Sequence, residues 1–177
     1  SIVLQYDSEL EKVNVEVQVP KIIYGDIVLQ NALVNTNTDD GYLSALVLAD
    51  SIEIANQVSI PGLEINGAFA DGEGAYSFYV MELDGSKSLG TKGKLTSTEQ
   101  LIELNIDPTF LLDSEEWSLK TNGNLTFGKG IFEYPSFSMV KDDQAIFMKK
   151  NAEGDLKLFF EAFEIGQLTN YVFDTTT

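Results

Sequence analysis

The sequence predicts an all-β protein built as an antiparallel meander of hairpins. Three observations carry this. Apolar and polar residues alternate over much of the chain, as in EKVNVEVQV, where Val13, Val15, Val17 and Val19 share one face; a period of two marks a half-buried strand. Turn signals recur at short spacing: Thr38-Asp39-Asp40-Gly41, Asp71-Gly72, Asp84-Gly85, Asn122-Gly123 and Asn151-Ala152-Glu153-Gly154. No long stretch repeats with the 3.6-residue period of a helix.

Taken in order, the chain opens in strand-like sequence and enters a strand at 11–19, which Pro20 is expected to end because it cannot donate to a ladder. Further strands are predicted at 27–35, 43–50, 52–60, 63–70, 75–83, 89–95, 100–107, 117–126, 131–140, 144–150 and 155–163. IGQLTNYV near the end has the pattern of a short helix, and DPTFLLDSEEW at 107–117 reads as a helical turn or a loop. Pro135 lies inside the strand that carries Phe132 and Phe137, so a bulge is expected there.

Two segments, LEINGAFADGEGAYSFYV at 63–80 and LKTNGNLTFGKGIFEYPS at 119–136, align without a gap and read as a possible hairpin repeat. A four-residue loop from Asp71 to Gly74 would set Phe69 opposite Tyr76, Gly67 opposite Phe78 and Ile65 opposite Val80, all on one face. The same count sets Leu125 against Phe132 and Gly123 against Tyr134. A glycine facing a large aromatic leaves the ring room to lie across the neighbouring strand.

The 177 residues suit one domain with a sizeable core. Absences exclude several chemistries. With no Cys and no His, thiolate zinc sites, cysteine nucleophiles and the commonest general base are gone. All eleven basic residues are Lys, against 28 acidic ones, for a net charge of −17. Such a field repels a nucleic-acid backbone, and no nucleic-acid partner is expected. The Asp-rich turns offer too few oxygens for calcium, so no metal is expected. The GEG and GKG elements join strand to strand and are not phosphate cradles. No GxSxG elbow occurs, and no carboxylate pair stands out for glycoside chemistry. An enzyme is therefore not expected, nor a cofactor. The apolar stripes either close on each other as the core of a sandwich or leave an open apolar groove, and periodicity does not separate the two.

From about residue 31 onward, ADSIEIANQVSIPGLEINGAF, LDGSKSLGTKGKL and LIELNIDPTFLLDSEEWSLKTNGNLTFGKGIFEYPSFSMVKDDQAIFMKK resemble the TamB-like proteins, especially those of the Bacteroidetes type. The closing LKLFFEAFEIGQLTNYV is similar to the ends of their repeating units. The resemblance covers about four fifths of the chain by rough alignment of patterned motifs. It implies a sheet curled into an open, taco-like β-groove with an apolar interior, excised from a longer AsmA-like bridge protein. That protein would be anchored in the inner membrane of a Gram-negative bacterium and cross the periplasm. The family is linked to phospholipid transport and to outer-membrane protein assembly. Implied partners are phospholipid acyl chains, neighbouring groove units of the same chain and outer-membrane assembly proteins. By face counting, the groove is expected to be lined by Ile65, Phe69, Tyr76, Phe78, Val80, Leu125, Phe132, Tyr134, Phe137, Met139, Ile146 and Met148. The other reading is an extracellular β-sandwich for adhesion or carbohydrate binding, which requires a closed core.

Overall fold

The computed structural model describes residues 1–9, 11–39, 41–55, 58–150, 155–164 and 166. Sixteen strands form one sheet. They are β1 (Ile2–Asp7), β2 (Lys12–Tyr24), β3 (Ile27–Asp39), β4 (Tyr42–Ala49), β5 (Ser51–Ile54), β6 (Val58–Ile60), β7 (Leu63–Ala70) and β8 (Glu73–Met81). There follow β9 (Lys87–Ser97), β10 (Leu101–Leu112), β11 (Glu115–Thr121), β12 (Leu125–Gly128), β13 (Ile131–Glu133), β14 (Phe137–Lys141), β15 (Gln144–Lys150) and β16 (Leu156–Glu161). The path runs β1-β2-β3-β4-β7-β8-β9-β10-β11-β14-β15-β16, antiparallel throughout. Its outer strands do not pair with each other, so the sheet is open. No second sheet packs on it among the described residues, and the closed core that a sandwich requires is not formed.

Two hairpins depart from the path, and both prolong strands already in it. β5 and β6 carry β4 and β7 onward beside the outer half of β3, making a four-stranded wing of β2, β3, β5 and β6. At the root of the wing lie Pro20, Asn31 (φ 49°), Asp50 and Pro61-Gly62. The apolar positions skip at this level in all four strands, from Val19 to Ile22, Leu29 to Ala32, Ala49 to Ile52 and Ile60 to Leu63. Because every strand skips together, the ladders on either side of the line stay in step.

The second departure, β12–β13, pairs with the first half of β10 while β11 pairs with its second half. The stretch 131–140, expected as one strand with a bulge at Pro135, is instead two strands, β13 and β14, separated by residues 134–136 and paired with different neighbours.

Several local expectations are corrected. Pro20 does not end its strand. The amide of Gln18 points toward β1, donating to the Ser1 carbonyl at 2.8 Å; two residues on, the nitrogen of Pro20 faces the same side, beyond the end of β1, where no ladder bond is required. The stretch 52–60 is the hairpin β5–β6 and not one strand, and 117–126 divides into β11 and β12. DPTFLLDSEEW is neither helix nor loop: β10 runs on through a bulge between Ile106 and Phe110. Asp113 and Ser114 then turn the chain, both at positive φ. The Asp-Pro lead-in mimics a helix start, but pairing of Phe110 with Trp117 outweighs it. IGQLTNYV lies outside the described residues apart from Gly166.

The hairpin register also differs from the expected one. β7 and β8 are joined by two residues, Asp71 (φ 51°) and Gly72 (φ 83°), both left-handed as a type I′ turn requires. Tyr76 therefore faces Gly67, Phe78 faces Ile65 and Val80 faces Leu63, while Phe69 faces Gly74. The shift is two residues, so every side chain keeps its predicted face. In the second segment Phe132 faces Phe127 and not Leu125, across the turn Lys129-Gly130. Gly123 lies in the break between β11 and β12 and is not paired with Tyr134.

The Tyr76 ring leans toward Gly93 of the next strand. A Cβ on Gly93 would sit 3.0 Å from that ring and 1.9 Å from the Asn105 carbonyl oxygen. Gly93→Ala is expected to lower stability by about 1–3 kcal/mol, read as a lower denaturant midpoint at unchanged slope. Gly25→Ala provides a comparison, since space around Gly25 is open and only its left-handed φ opposes a side chain.

Candidate functional site

The strand register makes one face of the sheet almost wholly apolar. A single cross-strand row reads Ile2–Val17–Val34–Val47–Ile65–Phe78–Thr91–Phe110–Trp117 across nine strands. A parallel row reads Leu43–Phe69–Gly74–Leu95–Leu104–Leu125. Toward the other edge, Leu119–Met139–Ile146–Phe160 and Thr121–Phe137–Met148–Leu158 continue the same face. The opposite face reads very differently: Val3–Glu16–Asn35–Leu46–Asn66–Ser77–Lys92 and Gln5–Asn14–Asn37–Ser44–Ala68–Ala75–Lys94–Asn105.

The predicted lining residues fall on this apolar face wherever a ladder places them. Ile65 and Phe69 come from β7, Tyr76, Phe78 and Val80 from β8, Leu125 from β12, Phe132 from β13, Phe137 and Met139 from β14, and Ile146 and Met148 from β15. They are not one cluster. Met139 and Ile146 belong to the buried core with Leu112, Trp117 and Leu119, and Phe137 packs against it. Val80 is buried beside Leu63. Ile65 is 36% exposed and Phe132 66%, so these two meet water. Tyr134 follows β13, its ring 5.9 Å from that of Phe132 and 4.1 Å beneath the Lys150 ammonium. Phe132 and Phe137 differ in parity yet share the face because the break at 134–136 shifts the count by one.

Trp117 is the feature that face counting missed. It is 1% exposed although no second sheet covers it. Its neighbours on the curled face enclose it, and Phe163, just beyond β16, lays its ring 5.8 Å from the indole. In the sequence Trp117 stands out only as the sole tryptophan; the alternation Trp117, Leu119 in EEWSLKT was the available signal. Two polar atoms are buried there without a partner, Trp117 Nε1 and Gln144 Oε1. Both belong to strands that present their neighbours to the apolar face.

Tyr76 carries the one hydroxyl near the middle of this face whose titration is shifted. Burial disfavours the phenolate, and the negative charge of Asp107 adds to it, so its pKa is raised from 10.0. Its hydroxyl donates to the Asn105 carbonyl at 3.5 Å, a long contact. The acidic turn residues have structural places: Asp71 turns β7 into β8, Asp142 and Asp143 turn β14 into β15, and Asp39 pairs with Lys12 at 2.5 Å.

No family model matches the chain, and neither the curated proteins nor the solved structures contain a match to it.

Two outcomes follow from this geometry. Trp117→Ala is expected to cost about 3–5 kcal/mol, measured by chemical denaturation. In alkaline titration Tyr76 is expected to hold its proton above the ordinary tyrosine value of 10.0. Because the folded state binds that proton more tightly, its contribution to stability is present below pH 10.0 and is lost as pH rises through the raised pKa. Asp107→Asn should lower this pKa only in part, since burial is the larger cause.

Proposed function

We propose that this chain is a lipid-binding segment of a periplasm-spanning bridge protein of the TamB-like kind, taking phospholipid acyl chains along its apolar face. The observation that supports the reading is the row from Ile2 to Trp117, apolar at every strand but β9, where Thr91 stands, on a sheet that does not close. A core residue needs a covering layer; here the covering layer over much of the face would be the ligand. Each methylene buried there contributes roughly 0.8 kcal/mol without any directional contact. A row of similar side chains repeated across strands presents nearly equal sites side by side, so an acyl chain can shift along it without crossing a large barrier. The polar opposite face and the net charge of −17 keep a sheet with this much apolar surface in solution.

In this reading the full-length protein is anchored in the inner membrane of a Gram-negative bacterium. It conducts phospholipid between membranes, supports outer-membrane protein assembly, and places further groove units beside β1 and β16. Among the described residues both outer strands have unpaired edges, and β16 is exposed along its whole length, which suits neighbours of the same kind.

The single tryptophan supplies the test. Phospholipid with brominated acyl chains should quench Trp117 emission in the folded protein, and an unbrominated lipid of the same headgroup should not. Ile65→Asp, at a position open enough to tolerate a charge, and Phe78→Asp should both reduce quenching at least tenfold at fixed lipid. Folded protein whose emission is indifferent to brominated lipid would sink the proposal.

A further inference from the structure

The polar face carries a second feature, independent of the lipid reading because it lies on the other side of the sheet. We propose that a cleft at the ends of β11, β14 and β15 binds a phosphate ester. Its volume is about 370 Å³ and its walls are Lys120, Asn122, Ser136, Ser138, Phe147 and Lys149, with Thr121 and Phe137 behind them. These residues converge through the ladder. Lys120 faces Ser138, Ser138 faces Phe147, and the Asn122 amide donates to the Ser136 carbonyl at 3.2 Å.

Charge makes the cleft unusual. The chain has eleven cations and 28 carboxylates, yet no carboxylate lines this site. Lys12, Lys87 and Lys141 are ion-paired with Asp39, Glu64 and Glu115. Lys120 and Lys149 have no ion-pair partner among the described residues. Lys149 also stands directly opposite Lys157 on β16, and like charges facing across a ladder are destabilising. An anion at the cleft relieves that repulsion.

The donor set selects the anion. Two lysines, two serines and an asparagine stand around one small, open volume whose wall is otherwise largely apolar, and the charged groups among them are all cationic. A carboxylate presents only two oxygens, whereas a phosphate monoester presents three and a charge near −2 at neutral pH. The Phe147 ring on the same wall gives the organic part of the ester an apolar contact. The volume lies within the usual range for small-ligand sites, roughly 300–1,000 Å³.

The experiment is a titration of the whole protein with glycerol 3-phosphate at low ionic strength, followed by backbone amide shifts. Saturable shifts confined to residues around 120–122, 136–138 and 147–149 are expected. Lys120→Gln and Lys149→Gln should each weaken binding about tenfold, while Lys92→Gln and Lys94→Gln, on the same face at β9, should leave it unchanged. A parallel arm uses vesicles containing phosphatidic acid, whose headgroup is likewise a phosphate monoester. A response to the soluble ester identifies a free phosphoester as the ligand, and one to the vesicles alone identifies a lipid headgroup; either supports the site. Silence in both arms overturns it, as does an equal loss in the β9 variants, which would show diffuse attraction to lysines. Loss of brominated-lipid quenching in Phe78→Asp with these shifts intact would leave the cleft standing apart from the lipid-binding face.

Discussion

The whole structure depends on register. In a sheet only one layer thick, nothing but the pairing of each strand with the next decides which side a residue faces. A slip of one residue in any hairpin would turn that strand's apolar set outward and break the row from Ile2 to Trp117. The short turns hold against this. Asp71-Gly72 and Asp113-Ser114 each adopt left-handed backbone at both central positions, the geometry that matches the twist of the flanking strands. Register changes by two at Asp107–Thr109, and the apolar face is recovered on the far side; the one-residue shift between Val80 and Met81 falls at the last pair of the β8–β9 ladder.

Curling completes what register begins. Glycines and alanines are placed on the inner face where side chains crowd: Ala45, Gly67, Gly74 and Gly93 lie among Tyr76, Phe69 and Ile106. Small residues let the strands approach on that side while large ones fill the space between. The result is burial without a second layer. Leu63, Val80 and Leu112 are nearly inaccessible, whereas the outer strands, the β12–β13 hairpin and several positions between them, Leu43 and Ile65 among these, leave apolar side chains open to water. The core around Trp117, Leu119, Met139 and Ile146 closes one end of the face, and the row through Ile65 and Phe78 leaves the middle less covered.

Much of this was legible in advance. Alternation and turn residues placed most strands and their faces, because both are properties of neighbouring residues. The face each of these residues takes follows from parity alone, and parity survives a register error of two, which is why Tyr76 and Phe78 keep their face although their partners are Gly67 and Ile65. An irregularity at Pro135 was legible because proline cannot serve a ladder, but its form, a division into β13 and β14 with different partners, was not. Elsewhere local signals misled. Pro20 and the Asp-Pro of β10 read as stops, yet the strands continue, since what matters is whether a partner strand waits for the missing N–H. Trp117 escaped notice for a related reason: its burial comes from Phe163 and from strands distant in sequence.

By itself the sequence determined the class, the strand periodicity, the chemistry excluded by the lack of His, Cys and Arg, and the side of the sheet each residue would take. These are set by composition and by local spacing. Only the tertiary structure decided that the apolar face stays open, since closing a sheet depends on whether its first and last strands meet. It alone gathered Lys120, Lys149 and two serines into one cleft on the other side. Residues that far apart in the chain are brought together by cross-strand pairing, a long-range choice that no local pattern encodes.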